Sequence, residues 1–383
     1  MILQGKIPAS EELVNIQVGG EIITRVEPAR EDPLPGCGGP GFFVCPGFFD
    51  SQVNGFGGVD FNAKELTRED LRRAVLALAS SGVTAFLPTI TTAGPEKTRS
   101  RLRVLSRATE EDPLWRDMAA GIHLEGPYIS PLEGFRGAHP PEHIRPPRWE
   151  EFERFQEAAE GKIRLLTLAP ETEGALAFIE KAAKAGVVIG LAHTSASEET
   201  LEEACRAGAR LSCHLGNGAQ ALLPRHRNPI QKQLSMDDLM ASIIVDGIHL
   251  PDYVVKNFIR AKGVDRILLT TDSMAGAGAP PGRYTLGDLE VEVGKEDRSA
   301  RLPGTPYLAG STLTMDQALN NVMRYADLPL APALKMGRKN GERLFPGVRK
   351  DISPGSRADM VLFEYKGEVR IKSTWIRGEK IFG

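Results

Sequence analysis

Short apolar runs alternate with amphipathic segments along most of the chain. From Val44 onward the pattern repeats as an apolar run, a loop and a helical stretch. The apolar runs predict strands at residues 46–50, 83–87, 119–124, 163–168, 187–192, 209–213, 242–245 and 267–269. Helical periodicity separates most of them, for example at 67–80 with Thr67 as N-cap, at 174–185 and at 197–207.

This alternation of strands and helices predicts an α/β fold. Eight strands with intervening helices over roughly 300 residues are typical of a (β/α)8 TIM barrel. An open, doubly wound sheet is the alternative, for which fewer strands and a glycine-rich first turn are expected.

The two ends of the chain differ from this middle part and resemble each other. Residues 1–45 contain short alternating apolar pieces, and the tail after Asp351 returns to short strands at 360–363, 369–371 and 375–376. We therefore predict a small β-sandwich module formed by residues 1–45 and 347–383, packed beside a barrel of residues 46–346. Within the barrel, we expect an irregular insertion at 276–306 and a helix at 311–325.

The composition narrows the classes of partner. The 47 basic and 50 acidic residues leave a formal charge of -3, which gives no general reason to expect nucleic acid or an anionic membrane as partner. There is no apolar run of about 18 residues, and the first residues lack the pattern of a signal peptide. We therefore expect a cytoplasmic protein that does not enter a membrane.

The cysteines do not form a disulfide framework. Cys37, Cys45, Cys205 and Cys213 are too few and too scattered, and we interpret them as reduced thiols. Cys213 adjoins His214. Because neighbouring residues on a strand point to opposite faces, we do not expect both to serve one site.

Polar side chains follow several of the predicted strands, at the end of a barrel where active sites lie. These are Asp50-Ser-Gln52-Val-Asn54 after the first strand, and then Glu125, His193, His214, His249 and Asp272. Each has a structural interpretation, such as a helix cap, a buried hydrogen-bonded histidine or a turn residue. Five such residues at five strand ends favour a common site over five independent structural roles.

The residue types indicate metal-dependent hydrolysis. One carboxylate and two imidazoles suit a divalent ion such as zinc with a position left open for water. The ion lowers the pKa of water and polarises a carbonyl, while a nearby carboxylate takes the proton and passes it to the leaving group. Asp272 is the best candidate for this carboxylate, because the last strand of a barrel closes beside the first.

The combined motifs resemble a known family. They are Pro46-Gly-Phe-Phe-Asp50, His-Leu-Glu125-Gly-Pro, Gly-Leu-Ala-His193-Thr, His214-Leu-x-Asn217, Asp246-Gly-Ile-His249, Thr-Thr-Asp272-Ser and Leu308-Ala-Gly-Ser-Thr-Leu-Thr. Their order resembles the amidohydrolase superfamily and, within it, most closely the N-acetylglucosamine-6-phosphate deacetylase family. The resemblance runs from about residue 44 to the Ser353-Pro-Gly-Ser-Arg-Ala-Asp-Met-Val-Leu tail.

The resemblance implies an enzyme that removes an acetyl group from an amino-sugar phosphate, with a homodimer as its assembly. It implies Glu125, His193 and His214 as ligands of one divalent ion, zinc or else iron or another metal, and Asp272 as general base and then acid. It also implies substrate contacts from His249, His139 with its neighbour Ala138, Asn217 with its neighbour Gly218, and the loop of Leu308, Ala309 and Gly310.

Two departures from the family pattern change these expectations. Many members of the superfamily carry His-x-His after the first strand and bind two metals, whereas this chain has Gln52 and Asn54. Because amides are poor ligands for a transition metal, we predict one tightly bound ion. The second departure lies after Asn217, where the partner-subunit arginine that binds substrate phosphate corresponds either to Arg225 or to Arg227. An exposed basic loop is the alternative interpretation of this stretch.

Three functions remain open at this point. The first is hydrolysis of an N-acetyl group from an amino-sugar phosphate. The second is the same chemistry on another amide, such as a galactosamine derivative or an N-acyl amino acid. The third is a barrel that has lost catalysis and serves assembly, against which the retention of Glu125, His193, His214 and Asp272 speaks.

Overall fold

The computed structural model describes residues 1–30, 38–347 and 351–383. The chain begins with four strands, β1 (Ile2–Lys6), β2 (Leu13–Gly19), β3 (Ile22–Pro28) and β4 (Gly38–Pro46). Gly47 alone separates β4 from the first barrel strand, β5 (Phe48–Val53). The boundary that we propose at residue 46 therefore falls at a direct passage from one sheet to the other.

Eight parallel strands form the central barrel, as predicted. After β5 come a two-stranded ribbon, β6 (Gly55–Phe56) and β7 (Val59–Asp60), and the barrel strands β8 (Val83–Thr91), β9 (Ile122–Glu125), β10 (Ile163–Leu168), β11 (Val188–Leu191), β12 (Ala209–Ser212), β13 (Met240–Ile243) and β14 (Ile267–Leu269). Each barrel strand from β5 to β14 pairs with the next in chain order. The doubly wound alternative is wrong, because such a sheet reverses its strand order partway along the chain.

Helices cover the outside of the barrel. They are α1 (Arg68–Ser80), α2 (Pro95–Glu111), α3 (Pro113–Met118), α4 (Trp149–Ala158), α5 (Ala175–Lys184), α6 (Glu198–Ala207), α7 (Pro229–Ser235), α8 (Asp252–Lys262), α9 (Met315–Ala326) and α10 (Leu330–Met336), with short 3-10 turns at Pro141–His143, Val264–Arg266 and Lys339–Arg343. Thr67 caps α1 as predicted, since its hydroxyl accepts from the Asp70 backbone N–H and the Asp70 carboxylate accepts from the Thr67 N–H.

The barrel interior is apolar below the site and polar where the barrel closes. Phe49, Leu165 and Leu268 belong to one buried cluster, and Phe345 packs against the Phe49 ring at 5.4 Å between ring centres. At the seam between β14 and β5, the buried Asp50 carboxylate accepts hydrogen bonds from Thr270 and Thr271. These bonds tie the first strand to the last and hold the strand ends in register.

The segment at 276–306 is more regular than predicted. It contains a three-stranded antiparallel sheet of β15 (Gly282–Leu286), β16 (Leu289–Val293) and β17 (Ala300–Arg301). A Gly287-Asp288 loop with φ of 63° at Gly287 joins the first two strands, which is a sequence signal for a hairpin. The helix expected at 311–325 begins later, at Met315, because Ser311 pairs with Ser273 and Thr314 provides the cap.

The terminal strands form the second sheet, together with β18 (Met360–Tyr365), β19 (Val369–Ile376) and β20 (Glu379–Phe382). Its order is β20-β19-β18-β4-β1-β2-β3, and an extra bridge joins Ile22 to Arg357, so the sheet curls back on itself. The two tail strands predicted at 369–371 and 375–376 are one strand, because an irregularity in the β18 to β19 register interrupts the apolar alternation.

Two further expectations from the sequence concern membrane-spanning helices and the state of the cysteines. Among residues 1–30, 38–347 and 351–383, no helix has the length and apolarity needed to cross a lipid bilayer. Cys45, Cys205 and Cys213 are buried free thiols. Cys37 lies outside the described residues.

Candidate active site

Three of the predicted site residues occupy an unusual backbone conformation just beyond the barrel strands. His193, His214 and Asp272 have φ angles of 50°, 31° and 49°, in the left-handed region that side chains other than glycine rarely adopt. The turn that follows from this conformation lets each side chain point into the mouth of the barrel. Backbone strain of this kind concentrates at functional sites.

Cys213 does not share the site of His214, as expected, although strand alternation is not the reason. Strand β12 ends at Ser212, so the alternation of faces does not extend to these two residues. The Cys213 side chain lies in the interior cluster of the barrel, and its sulfur is 3.1 Å from the Thr167 hydroxyl. Burial raises the pKa of the Cys213 thiol to about 12, so it stays protonated and does not act as a ligand.

Glu125, His193 and His214 converge with their donor atoms within 4.8 Å of one another. Glu125 Oε1 is 2.8 Å from Nε2 of His214 and 3.5 Å from Nε2 of His193. The His193 Nδ1–H donates to the Phe135 carbonyl at 2.8 Å, which leaves the lone pair of Nε2 free to face Glu125. A fixed tautomer with its second nitrogen free is the arrangement of a metal-ligating histidine. The donor set therefore fits a divalent cation.

The electrostatics of this triad also favour a cation. Burial alone would raise the pKa of the Glu125 carboxyl, but its interactions with His193 and His214 hold that pKa well below the usual range. Burial would lower the pKa of His214, yet the hydrogen bond to Glu125 produces a net rise. A metal that binds here competes with protons for the same ligand atoms, so its affinity increases with pH.

Two amides connect the triad to Asp272. The Gln52 side-chain N–H2 donates to Glu125 Oε1 and to Asp272 Oδ1, both at 2.9 Å, and the Asn54 amide donates to Asp272 Oδ1 at 2.7 Å. In this orientation the amide nitrogens face the carboxylates, and they cannot coordinate a metal. Burial, followed by the charge of Glu125, raises the pKa of the Asp272 carboxyl to about 7.

His249 is held by an acidic neighbour three residues earlier. Its Nδ1–H donates to Asp246 at 2.6 Å, and the backbone N–H of His249 donates to the same carboxylate at 2.8 Å. His249 lines the cavity in front of Asp272. The Asp246 bond fixes the ring so that Nε2 is available to a ligand.

Asp246→Asn should lower kcat/KM about 10-fold, the lower end of the roughly 10- to 100-fold that partners of metal-ligating histidines contribute. The amide still fills the position, but it can donate a proton to Nδ1 and so select the wrong tautomer. Steady-state kinetics with metal analysis measures this. Unchanged metal content is expected, because His249 is not one of the ligands. Unchanged kcat/KM would show that the orientation of His249 does not matter for turnover.

His139 and Gly218 shape the wall beside the triad. His139 Nδ1 is 2.8 Å from the Thr92 hydroxyl, and its ring centre is 4.5 Å from that of His193. Burial and then the proximity of His193 lower the pKa of His139 to about 3, so the ring is neutral at physiological pH. Gly218 has φ of 61°, and a Cβ atom there would lie 2.5 Å from His193 Nδ1. Only glycine allows this close approach.

A cavity of about 430 Å³ opens above these groups. The structure brings most of the predicted substrate-contacting residues to its wall, namely Ala138, His139, Asn217, Gly218, His249, Leu308, Ala309 and Gly310. Arg225 and Arg227 do not line it. Both are exposed, and Arg227 Nε lies 3.9 Å from a carboxylate oxygen of Glu198.

Sequence reasoning missed two kinds of residue. His123 is fully buried below Glu125, with Nε2 2.7 Å from the Thr167 hydroxyl, and burial lowers its pKa to about 4. Its spacing of two residues from Glu125 on one strand is the signal that could have placed both side chains inside the barrel. Arg101 and His143 also line the cavity, from a helix and a turn that carry no motif.

Comparisons with known proteins identify the family of the chain. The model of the amidohydrolase family matches residues 43–381. An N-acetylglucosamine-6-phosphate deacetylase from Lysinibacillus sphaericus is 31% identical over 333 residues, which cover 85% of this chain and 82% of that protein. An N-acetylgalactosamine-6-phosphate deacetylase from Escherichia coli O157:H7 is 32% identical over 88% of this chain and 87% of its own length. A Mycobacterium smegmatis N-acetyl-D-glucosamine-6-phosphate deacetylase variant, solved with N-acetyl-D-glucosamine-6-phosphate, superposes with a TM-score of 0.89 at 30% identity, covering 100% of this chain and 99% of that one.

Proposed function

The chain belongs to the amidohydrolase family and, within it, to the N-acetylglucosamine-6-phosphate deacetylases, and from this premise we propose that it deacetylates N-acetylglucosamine 6-phosphate. The products are glucosamine 6-phosphate and acetate. One observation carries the proposal: a Glu-His-His triad and a separate carboxylate, Asp272, are bridged by the single amide of Gln52. A metal site with an acid–base carboxylate beside it is suited to the hydrolysis of an amide.

The metal site is proposed to hold one divalent ion, with zinc as the best fit. One carboxylate and two imidazole nitrogens are borderline ligands that zinc accepts, with room left for water. When bound, the ion supplies Lewis acidity that lowers the pKa of water and polarises the amide carbonyl. Gln52 and Asn54 direct amide N–H groups at the two carboxylates, which speaks against a second ion between them.

Asp272 is proposed to move the proton. In its ionised form it accepts a proton from the attacking water, and in its protonated form it donates that proton to the amine that leaves. A pKa near 7 suits a group that must both take and give a proton. The bonds from Gln52 and Asn54 to Oδ1 hold the carboxylate in place during both steps.

Two histidines are proposed to orient the substrate. His249 presents Nε2 to the cavity because Asp246 holds Nδ1, and it is placed to contact the acetyl group in front of Asp272. His139, kept neutral by burial, is suited to a sugar hydroxyl rather than to an anion. Asn217, Gly218 and the turn 308–310 complete the wall that faces the sugar.

The 4-epimeric substrate is the second candidate. The relative described as an N-acetylgalactosamine-6-phosphate deacetylase is as similar to this chain as the glucosamine-specific one, at 32% against 31% identity. The two sugars differ only in the configuration of one hydroxyl, while the acetyl group and the phosphate are the same. Metal and proton chemistry are therefore common to both candidates.

A homodimer is proposed as the assembly. Arg225 and Arg227 are exposed and remain outside the cavity of their own chain, so either could serve the cavity of a second copy. A guanidinium suits bidentate recognition of phosphate.

The test is acetate release from a panel of amides by the metal-loaded protein. We expect turnover of N-acetylglucosamine 6-phosphate or its galactosamine epimer, weaker turnover of the unphosphorylated sugars, and none of N-acetyl amino acids. Asp272→Asn is the negative control for contaminating activity. Absence of acetate release from every N-acetyl sugar, or equal release from N-acetyl amino acids, would contradict the proposal.

A further inference from the structure

A cleft between α2 and α4, on the outside of the barrel, is lined mainly by charged side chains. Arg103 and Arg107 reach it from α2 and Arg154 from the neighbouring α4, and its wall also contains Glu157 and Glu160. The cleft has a volume of about 190 Å³ and shares no lining residue with the active-site cavity. It is therefore a separate feature of the molecule, to which the hydrolytic chemistry gives no role.

The three guanidiniums of this cleft have no acidic partner. Within residues 1–30, 38–347 and 351–383, none of these side chains has a carboxylate oxygen within 4.0 Å or makes a hydrogen bond. Helical spacing offers a partner, since Glu111 follows Arg107 by four residues on α2. The same helix does form a local pair between Arg99 and Glu96, at 2.8 Å. The arginines of the cleft therefore leave their N–H donors available to a ligand.

The acids in the wall do not balance this positive charge. The Glu160 carboxylate accepts hydrogen bonds from Lys162 and, at 2.7 Å, from the Ser106 hydroxyl, and these bonds hold its pKa below the usual range. Because Glu160 is already paired, Glu157 is left as the one lining carboxylate opposite three guanidiniums. The cleft therefore carries a local excess of positive charge on a chain whose formal charge is -3.

This arrangement is unfavourable unless an anion occupies the cleft. Arg103 and Arg107 lie four residues apart on one helix, where charges of the same sign are destabilising. Arg154 adds a third like charge from the adjacent helix. An anion between the guanidiniums replaces this repulsion with attraction, and each planar guanidinium can bind a phosphoryl group through two parallel hydrogen bonds. Side chains at this spacing on a helix start about 5–6 Å apart, so two arginines can hold neighbouring phosphoryl groups.

We propose that this cleft binds a compact anion with two or more adjacent phosphoryl groups, such as pyrophosphate or the diphosphate of a nucleotide. Three guanidiniums suit the charge of a diphosphate better than that of a single phosphate. The small volume of the cleft admits the phosphoryl groups and leaves the rest of a larger ligand outside. The net negative charge of the chain speaks against an extended polyanion such as nucleic acid, which needs a broad basic surface. This inference goes beyond the proposed function and does not depend on it.

The test is isothermal calorimetry with inorganic pyrophosphate and the whole chain. Arg103→Gln and Arg154→Gln should each weaken binding about 10-fold or more, the effect of losing a hydrogen bond to a charged group, and Arg103→Lys should fall between. Glu157→Gln should strengthen binding, because the amide removes the one unpaired carboxylate from the wall. Arg206→Gln is the matched control, since it removes an exposed arginine from α6 and should bind pyrophosphate as the wild type does.

Three results would overturn the inference. The same pyrophosphate affinity in Arg103→Gln, Arg154→Gln and the wild type would exclude these arginines from binding. Inorganic phosphate or citrate bound as tightly as pyrophosphate would exclude recognition of adjacent phosphoryl groups. A DNA duplex that binds through the same arginines and is not displaced by pyrophosphate would assign the cleft to nucleic acid. Melting temperatures identify a folding defect, and if an arginine variant is unstable, the affinity of Glu157→Gln decides the question.

Acetate release separates this inference from the proposed function. The cleft variants should release acetate as the wild type does, because no residue that lines the cleft belongs to the active-site cavity. For the same reason, pyrophosphate that binds at the active site or its metal is common to all variants and cancels in the comparison. Binding that depends on Arg103 and Arg154 in a protein without deacetylase activity would contradict the proposed function alone. Deacetylase activity without such binding would contradict the anion site alone.

Discussion

Asp272→Asn is expected to lower kcat about 100- to 10,000-fold, the contribution of a well-placed general acid–base group. Asparagine keeps the shape of the side chain and an oxygen that can accept from Gln52 and Asn54, but it cannot take a proton. Acetate release under saturating substrate measures the effect. The metal content should stay that of the wild type, because Asp272 is not one of the three ligands.

The pH dependence gives this prediction a second readout. Only the ionised form of Asp272 accepts a proton, so kcat/KM of the wild type should rise with pH through the pKa of this group. Asp272→Asn should lose that acidic limb. Asp316→Asn, in α9 outside the cavity, controls for the loss of a partly buried carboxylate. Turnover by Asp272→Asn close to that of the wild type would show that another group carries the proton.

Removal of a metal histidine is expected to abolish both metal binding and activity. His193→Ala leaves Glu125 and His214 as the only members of the triad, and we expect its metal affinity to fall by at least about 100-fold, beyond what loss of an outer partner costs. The wild type should contain one equivalent of metal, measured by elemental analysis after dialysis. Activity of the apo protein should be restored in full at that one equivalent.

The matched control is His226→Ala, which removes an exposed histidine from the loop after Asn217. It should keep the metal content of the wild type. A full equivalent of metal in His193→Ala would exclude that residue as a ligand. A requirement for two equivalents in the wild type would contradict the mononuclear site that the orientation of Gln52 and Asn54 indicates.

The barrel could be predicted from sequence because its strands are nearly continuous apolar runs. The run at 163–168 corresponds to β10 at both ends, and the one at 267–269 to β14. The sheet at 276–306 was missed, since its strands are half-exposed and short, and the Gly287-Asp288 turn was its strongest local signal. The predicted ends of elements are wrong where a tertiary contact sets them. For example, Ser311 pairs with Ser273 and therefore does not belong to α9.

The candidate triad could be predicted because parallel strands bring their carboxyl ends together. That rule predicts Glu125, His193 and His214 at one edge of the barrel, and their donor atoms do converge. It could not show that Gln52 would bridge two carboxylates, since amide orientation depends on both partners. The rule does not identify Arg101, which lies on a helix. In the sequence, a buried arginine on a helix looks the same as an exposed one.

The left-handed backbone at His193, His214 and Asp272 serves the site but lowers the stability of the folded protein. Each such position costs roughly 1–3 kcal/mol of folding free energy, and glycine or asparagine would relieve part of that strain. A library selected for heat resistance alone should therefore accumulate glycine and asparagine at these three positions. Thermal improvement of this enzyme must accordingly be sought elsewhere in the chain, or the selection must include turnover from the first round.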